Sequence, residues 1–292
     1  MVGVQGMLND WKRWRSRAGP SEAGRQRTMI FTIRDLPRVM RRNGWTVGAQ
    51  LMDRWFGRPA RTMTDREKAG TDPSPDIETR LVTMRWALGF ERVMQANNNL
   101  LATWDVRARE PGPNRVVAGR LRRWRADRPG TRGAFRFGDL SGPTNVVDRT
   151  SQINFERIET SLFTSIDDFY AGIGNAAIKL AVTGVAKPIA NDRYELTVDE
   201  VGTYLRDTYE FIGDQRLGSW SPTGVDAMAF AAPMIPVVAE EAEDVLLVGS
   251  YRVNNTSFQE YRRHYGRGGD YVIFSNVVRR RLSIPITIVV PA

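Results

Sequence analysis

The polar side chains best suited to chemistry stand in one short stretch, residues 206–216. Asp207, Tyr209 and Glu210 lie close together there, and Arg216 follows after a short turn. A carboxylate beside a phenol, with an arginine nearby, can activate water and stabilise a developing negative charge. This stretch is therefore our candidate catalytic site.

Strand geometry divides these side chains between two surfaces. Successive residues of an extended strand project to opposite faces, so Asp207 and Tyr209 would share one face while Arg206 takes the other with Glu210. We assign Arg206 and Trp220, which follows in the same region, to ligand binding. The alternative is a strand end that turns, where Asp207 only accepts hydrogen bonds from loop amides.

A second polar cluster lies within residues 251–270. A helix from Thr256 to Tyr265, capped by Thr256 or Ser257, would separate buried from accessible side chains. Its buried side would carry Phe258, Tyr261 and Tyr265. Its accessible side would carry Glu260, Arg263 and His264.

A glycine-rich loop follows this helix. Residues 266–269 read Gly-Arg-Gly-Gly and precede Asp270, a composition that permits the tight backbone path of a phosphate-binding turn. The spacing matches neither the P-loop nor the dinucleotide-binding glycine pattern, so a helix stop before a strand is the alternative. We assign Arg263, Arg267 and Asp270 to ligand binding.

Histidine and cysteine usage excludes several kinds of site. His264 is the only histidine, so a histidine acting as general acid or base must be this residue. Cysteine is absent, which excludes disulfides, thiolate catalysis and zinc–thiolate sites. No G-x-S-x-G motif supports a serine nucleophile. The sequence predicts no cofactor and no structural metal, with Mg²⁺ as the alternative for a hydrolytic site.

The net charge of +9 is unevenly distributed along the chain. Residues 1–150 carry 29 basic and 15 acidic side chains, whereas residues 151–292 carry 13 and 18. This division predicts two regions with different partners. The arginine-rich segments, residues 1–42 and 115–136, would suit an acidic partner or nucleic acid. No helix-turn-helix, RNA-recognition or zinc-finger pattern accompanies them, so we rank nucleic acid lowest.

The N-terminus lacks the features of a secretion signal. Charges at Asp10 and Lys12 interrupt the apolar run that such a signal needs. The longest apolar stretch, residues 225–238, is broken by Pro233 and Pro236 before it could span a bilayer. The sequence therefore predicts a soluble protein without a transmembrane segment, cytoplasmic in the producing cell.

Helices are predicted in the first half of the chain. Two short ones within residues 31–57 would form a helical hairpin, and a longer one would begin at Ser74 and end at Asn97. The buried face of the longer helix would carry Ile77, Leu81, Met84 and Leu88.

Antiparallel strands are predicted in the second half. Residues 178–184 and 194–205 alternate apolar and polar side chains and indicate a hairpin. Pro285 would place the final strand at a sheet edge. Further strands are predicted at residues 245–252, 270–276 and 281–290.

These elements divide the chain into three regions. Residues 1–30 are predicted to be a flexible basic arm, residues 31–145 a helical basic region, and residues 146–292 a β-rich α+β domain with the candidate site. The fold class is α+β, with a helical N-terminal region followed by a mainly antiparallel, β-rich C-terminal region.

Several motifs resemble an uncharacterised bacterial family that is commonly encoded beside type VI secretion genes. The first half carries Leu36-Pro37-x-x-Met40 and Gly44-Trp45-x-x-Gly48-Ala49-x-Leu51-Met52-x-x-Trp55-Phe56. The second half carries Val201-Gly202-x-Tyr204-x-Arg206-Asp207-x-Tyr209-Glu210-Phe211, Asn254-Asn255-x-x-Phe258-x-x-Tyr261-Arg262 and Gly266-x-Gly268-Gly269-Asp270-Tyr271. The resemblance implies a setting, interbacterial competition, with spike or adaptor proteins and an immunity protein as expected partners. It implies no particular activity.

A shorter resemblance concerns mechanism. The run from Asp207 to Phe211 resembles the Asp-x-Tyr-Asp-Phe strand of colicin M-like toxins, which cleave the lipid-linked peptidoglycan precursor. Asp207 and Tyr209 match that pattern, and Glu210 replaces its second aspartate. The His-Arg pair that should follow is absent, because Gln215 and Arg216 stand there and His264 is distant in sequence.

Together these patterns predict an antibacterial effector, or an effector-like protein, of a type VI secretion locus. After delivery into target bacteria it would hydrolyse a cell-envelope phosphoester or the lipid-linked peptidoglycan precursor. Asp207 would activate water, Tyr209 and Arg216 would stabilise charge, and Glu210 would assist. The alternative is a non-enzymatic adaptor whose basic half docks a secretion component and whose β-rich half carries or neutralises cargo.

Overall fold

The computed structural model describes residues 27–109, 116–130, 132–158, 166–226, 238–242 and 245–291. The helices within these ranges are α1 (Leu36–Arg42), α2 (Thr46–Gly57), α3 (Asp65–Lys68), α4 (Met84–Ala87), α5 (Glu91–Arg109), α6 (Val116–Ala126), α7 (Thr144–Thr150), α8 (Asp168–Gly172) and α9 (Asn255–Tyr265). The strands are β1 (Arg27–Ile30), β2 (Ile77–Glu78), β3 (Phe135–Phe137), β4 (Gln152–Ile158), β5 (Ala176–Ile189), β6 (Arg193–Tyr209), β7 (Arg216–Ser221), β8 (Gly224–Asp226), β9 (Val238–Ala242), β10 (Val245–Val248), β11 (Tyr251–Asn254), β12 (Tyr271–Phe274) and β13 (Val278–Pro291). The predicted α+β fold, helical first and mainly antiparallel afterwards, is confirmed.

A long antiparallel hairpin, β5 and β6, forms the centre of the main sheet. The two strands pair from Ala177 with Arg206 to Ile189 with Arg193, which confirms the predicted hairpin. Its turn contains Asn191 and Asp192, both at positive φ, and these residue types tolerate the left-handed region better than most.

Each hairpin strand has two further partners. β12 pairs with the last residues of β6, while β13 pairs with β6 nearer its start. β4 and β3 pair with different parts of β5 in the same way. Among the described strands β13 pairs with β6 alone, as expected for an edge strand, and its register is interrupted before Ile286, where Pro285 removes a backbone donor.

A small second sheet of β11, β7 and β8 lies beside the main one. The sequence predicted one strand over residues 245–252, but the structure has two strands there that belong to different sheets. β10 pairs with β1 and β9, whereas β11 pairs with β7. Gly249 separates them with φ at 110°, a conformation that lets the chain change direction.

The helices of the first half bury their apolar faces against the second half. α5 packs on β4 and β5, and α2 packs on α8. Trp55 of α2 is fully buried and its ring packs edge-on against Phe211 and Phe258, at centroid distances of 5.0 and 5.3 Å. The main core therefore contains residues from both sides of the region boundary that the sequence predicts near residue 145.

The predicted helix from Ser74 to Asn97 is wrong. Ile77 and Glu78 form β2, which pairs in parallel with β12, and the helix α5 runs on through Asn97. Arg54 binds both Asp76, at 2.6 Å, and Glu78, at 3.1 Å, and holds this segment extended. Tertiary contacts of this kind outweigh local helix propensity.

The helix predicted before the glycine loop is confirmed as α9. The predicted cap, Thr256 or Ser257, is wrong, because the cap is Asn254, whose side chain accepts a hydrogen bond from the Ser257 amide at 2.8 Å. Phe258 and Tyr261 are buried as predicted, but Tyr265 is 55 % exposed. Gly266 ends the helix in the left-handed conformation.

Most of the predicted basic arm, residues 1–26, lies outside the described residues, and residues 27–30 form β1. Within the part of the chain that the structure describes, no helix has both the length and the apolar character needed to cross a bilayer.

Candidate functional site

The end of β6 projects its side chains alternately toward a cavity and away from it. Asp207 and Tyr209 line the cavity, and the Tyr209 hydroxyl donates to the Met52 sulfur at 3.6 Å on that side. On the other side the Lys68 ammonium pairs with Glu210 at 2.7 Å. The side-chain partners follow the division expected from strand geometry, although Thr208 and Glu210 also border the cavity.

The cavity has a volume of about 530 Å³ and is enclosed by several elements. Its walls come from the end of β6, from β7, from α1 and α2, from α8 and the turn after it, and from the start of α9. Much of the lining is apolar, including Leu36, Met40, Met52, Val225, Val253 and Phe258. Polar groups are contributed by Tyr170, Asn175, Gln215, Arg216 and Asn255. Apolar walls with a few polar groups are typical of small-molecule sites.

Asp207 is the most strongly perturbed carboxyl group of this cavity. It is half-buried, and among the described residues it forms no ion pair. Withdrawal from water raises its pKa to about 8, and the negative charge of Glu210 acts in the same direction. The Thr208 amide and Arg206 oppose the rise without cancelling it. Asp207 is therefore mostly protonated at neutral pH.

Tyr209 lies beside Asp207 as a hydrogen-bond donor. Its ring stacks on Tyr271 at a centroid distance of 5.0 Å, which fixes its position. Burial raises its pKa well above the usual range for tyrosine, and the nearby Asp207 and Asp53 carboxylates reinforce the shift. The phenol thus stays protonated and can donate to a negative charge but cannot act as a base.

Arg216 and Trp220 come from β7, which forms another wall. β7 pairs with β11, so that Arg216 lies opposite Asn254 and Trp220 opposite Tyr251. Arg216 is exposed and stands at the rim of the cavity, whereas Trp220 is buried and donates its indole N–H to the Leu217 carbonyl at 2.9 Å. The structure therefore brings both residues to the same cavity as Asp207.

Arg206 and Glu210 face the opposite side of the sheet. The Arg206 guanidinium donates to the carbonyls of Lys68 and Glu67, and its Nε lies 3.7 Å from Asp148. Because Lys68 also pairs with Glu210, α3 holds both side chains. Arg206 does not line the cavity, whereas Glu210 borders it with its carboxylate paired to Lys68. The charges of both residues act on the pKa of Asp207.

A buried polar cluster continues this opposite side. Asp148 accepts hydrogen bonds from the Lys179 ammonium at 2.8 Å and the Tyr204 hydroxyl at 2.7 Å. Burial lowers the pKa of Lys179 and raises that of Tyr204 well above its usual range. The cluster ties α7 to the central hairpin, which explains why these polar groups are buried as a set.

The remaining candidates do not line the cavity. His264 and Arg263 are exposed on the last turn of α9, and Arg267 donates to the Gly57 carbonyl at 2.9 Å. The structure therefore separates the only histidine from Asp207. The glycine loop lies against α2 and the segment after it, so it closes the helix end and contributes no wall.

Asp270 holds that loop in place. It is fully buried, pairs with Arg262, and accepts hydrogen bonds from the Trp55 indole at 3.1 Å and the Met63 amide at 3.3 Å. Burial raises the pKa of Asp270, while Trp55 and Arg262 oppose that rise. These contacts join α2 to α9 and leave no free acceptor for a ligand.

Residues of the first half that line the cavity were not foreseen. Met52 reaches it from α2, which crosses α8 at very close range where Gly48 meets Gly172, and Met40 reaches it from α1. Asp168 fixes the crossing by accepting hydrogen bonds from the Gly48 amide at 2.7 Å and the Val47 amide at 3.1 Å. The one sequence signal was the glycine inside a helix, which often marks close packing.

Within the described ranges, no three acidic or histidine side chains stand close enough together to hold a metal ion.

Comparison with known proteins identifies a family. A model described as a family of unknown function, DUF6402, matches residues 31–290. No curated protein and no solved structure matches at a significant level.

Proposed function

Because the chain belongs to DUF6402, a family of unknown function, we propose its activity from the cavity: Asp207 serves there as a general acid–base in the hydrolysis of a cell-envelope phosphoester. The protein would act as an antibacterial effector, or an effector-like protein, of a type VI secretion locus.

The observation that carries the proposal is the state of Asp207. Its carboxyl group has a pKa of about 8 at the wall of a cavity large enough for a substrate. A group with a pKa near the working pH transfers protons most effectively in both directions. A neutral Asp207 also spares an anionic phosphoester the repulsion that a carboxylate would cause.

The reaction would need one proton transfer in each direction. Water attacks phosphorus, the bond to the leaving oxygen breaks, and Asp207 gives its proton to that oxygen. Asp207 then regains a proton from the water that attacked. Arg216 and Tyr209, both hydrogen-bond donors that line the cavity, would stabilise the charge on the other phosphoryl oxygens.

The apolar walls of the cavity favour an amphipathic substrate. Ile173, Leu217 and Val225 line the cavity, are partly exposed and offer contact to a hydrocarbon chain. Asp207 and Arg216 offer contact to a phosphoryl group. The lipid-linked peptidoglycan precursor has this chemistry and agrees with the local resemblance to colicin M-like toxins. Glu210 would assist by its charge rather than by contact, because its side chain faces Lys68.

The setting rests on the motif resemblance alone. It supports delivery by a spike or adaptor protein of the secretion system and neutralisation by an immunity protein in the producing cell. Both partners are part of the proposal.

Substitution of Asp207 tests the activity. We expect Asp207→Asn, exported to the periplasm of a test bacterium, to lose growth inhibition, and the purified variant to lose about a hundredfold in phosphoester hydrolysis. Asp214→Asn is the matched control, because Asp214 is exposed in the turn after β6. Parallel assays with added Mg²⁺ and with a chelator test the metal requirement. A folded Asp207→Asn variant that is as toxic and as active as the parent would refute the proposal.

A non-enzymatic adaptor is the second candidate, and the concentration of exposed arginines on α6 favours it. The effector and the adaptor differ in their expected effect on growth. Periplasmic or cytoplasmic expression should inhibit growth if the protein is an effector, whereas an adaptor should be harmless and should copurify with a secretion component.

A further inference from the structure

Exposed arginines are concentrated on α6 and the turn that follows it. We call this set the α6 arginines, and every one of these side chains is exposed. The set comprises Arg122, Arg123, Arg125, Arg128 and Arg132.

The α6 arginines differ from other arginines of the chain in their ion pairing. In the part of the chain that the structure describes, none of them forms an ion pair. By contrast, Arg92 pairs with Asp167 at 2.6 Å and Arg136 with Asp199 at 2.7 Å. Their charge is therefore available to a partner.

The opposite face of α6 is firmly anchored. Leu121 and Trp124 are buried in the main core, and the Trp124 indole donates to the Thr150 carbonyl at 2.8 Å. Arg120 donates to the carbonyls of Gln152, at 2.8 Å, and Asp148, at 3.0 Å. The arginines thus project from a fixed helix, which lowers the entropy cost of binding.

Aromatic rings hold two of the guanidinium groups in place. Arg125 lies over the ring of Tyr194 at 5.0 Å, and Arg128 lies over the ring of Phe135 at 5.6 Å. A guanidinium group held over a ring still presents its planar donors to a carboxylate or a phosphate. Arg128 uses one of its donors on the Trp124 carbonyl, at 3.1 Å. The surface is preorganised for an anionic partner.

The surroundings favour an acidic protein over other polyanions. Val116 is the only large apolar side chain exposed over residues 116–130 and 132–137, so this surface has no exposed ring for stacking bases and no apolar wedge for a membrane. Asp127 is exposed among the arginines and would repel the uniform charge of a nucleic acid backbone. A protein can place a basic side chain opposite Asp127 and carboxylates opposite the arginines.

We infer that the α6 arginines form a docking surface for an acidic segment of a partner protein. This surface is separate from the cavity of Asp207, so docking and the proposed hydrolysis can be tested independently.

Binding of a fluorescently labelled octaglutamate peptide to the full chain tests the inference. The variant Arg122→Gln, Arg123→Gln, Arg132→Gln removes three charges that make no ring contact in the structure. We expect its affinity for the peptide at low ionic strength to fall about tenfold, since each exposed pair contributes a fraction of a kcal/mol. The control variant Arg80→Gln, Arg85→Gln, Arg263→Gln removes the same charge from exposed positions elsewhere and should bind like the parent.

Two results would overturn the inference. One is equal binding by both variants, which would show that the peptide responds only to net charge. The other is tighter binding of a DNA duplex than of octaglutamate by the parent, lost in the first variant, which would assign the surface to nucleic acid. Thermal melting of both variants confirms that each is folded.

Discussion

Asp207 and Glu210 are close neighbours in sequence, yet their carboxyl groups have different surroundings. Asp207 lines the cavity without an ion pair, whereas Glu210 is neutralised by Lys68 at 2.7 Å. Two carboxyl groups close in sequence therefore have different roles: Asp207 is a proton donor, and Glu210 forms a structural ion pair. The alternation of a strand was enough to predict this separation, but not which side would be enclosed.

The Lys68–Glu210 pair should influence the pKa of Asp207. Lys68→Met leaves Glu210 without a counter-charge and is expected to raise the pKa of Asp207, because Glu210 already acts in that direction. Glu210→Gln leaves the Lys68 ammonium alone and is expected to lower it. Carbon-13 NMR titration of the labelled Asp207 carboxyl group measures both shifts.

If the two variants shift the pKa of Asp207 in opposite directions, the cause is electrostatic and not a general loosening of the fold. If both variants moved the pKa of Asp207 in the same direction, structural relaxation rather than charge would explain the change. Asp65→Asn, at an exposed position of α3 beside Lys68, serves as a control and should have little effect.

At the scale of elements, the crossing of α2 and α8 forms the cavity wall. A Cβ atom added at Gly172 would lie 2.6 Å from the Cα of Gly48, which is too close for any real contact. The two helices can therefore approach as they do only with glycine at this point. Asp168 reinforces the approach by capping the start of α2.

Gly172→Ala should push these helices apart. We expect the free energy of unfolding to fall by about 1–3 kcal/mol, as for other overpacked cores. Gly57→Ala is the matched control, because a Cβ there meets no atom within 4 Å. Urea denaturation of both variants gives the comparison, and equal stability would contradict the close packing of α2 on α8.

Elements with strong local patterns were predicted well, and those set by distant contacts were not. The β5–β6 hairpin and α9 follow from alternation and capping within their own residues. The segment after Ser74 has a helical stripe but is drawn into β2 by Arg54 and by pairing with β12, neither of which is local. The sequence predicted the cavity residues of β6 and β7 but not Met40 of α1 and Met52 of α2, because the packing of these helices on the second half is not a local property.

At the scale of the whole molecule, ion pairs between the two halves partly neutralise the uneven charge of the chain. Basic residues of the first half pair with carboxylates of the second, as in Lys68 with Glu210 and Arg136 with Asp199. The charge difference between the halves therefore does not by itself require two partners. The excess that remains exposed is concentrated on α6, where the α6 arginines have no such pair in the described part of the chain.

Stability of the whole molecule should depend on pH through Asp207. In the unfolded chain this carboxyl loses its proton near an ordinary pKa of about 4, whereas in the folded protein it keeps the proton up to about 8. Between these values the folded state binds more protons, so the contribution of Asp207 to the free energy of unfolding falls as the pH rises. Below the lower value and above the higher one, this contribution is constant.

Asp207→Asn should remove that part of the pH dependence. The variant is expected to gain stability relative to the parent as the pH rises through this window, because an amide cannot become charged. Denaturation curves of both proteins at a series of pH values provide the test. Stability profiles that run parallel would mean that Asp207 has the same pKa in the folded and unfolded states.

The central claim is that a carboxyl group in the cavity carries a proton at neutral pH, and its direct titration tests this best. Carbon-13 NMR of Asp207 in the folded parent protein should give a pKa of about 8. The assignment follows from loss of that resonance in Asp207→Asn. A value near the ordinary aspartate pKa of about 4 would contradict the account, because Asp207 would then be a carboxylate with no proton to donate.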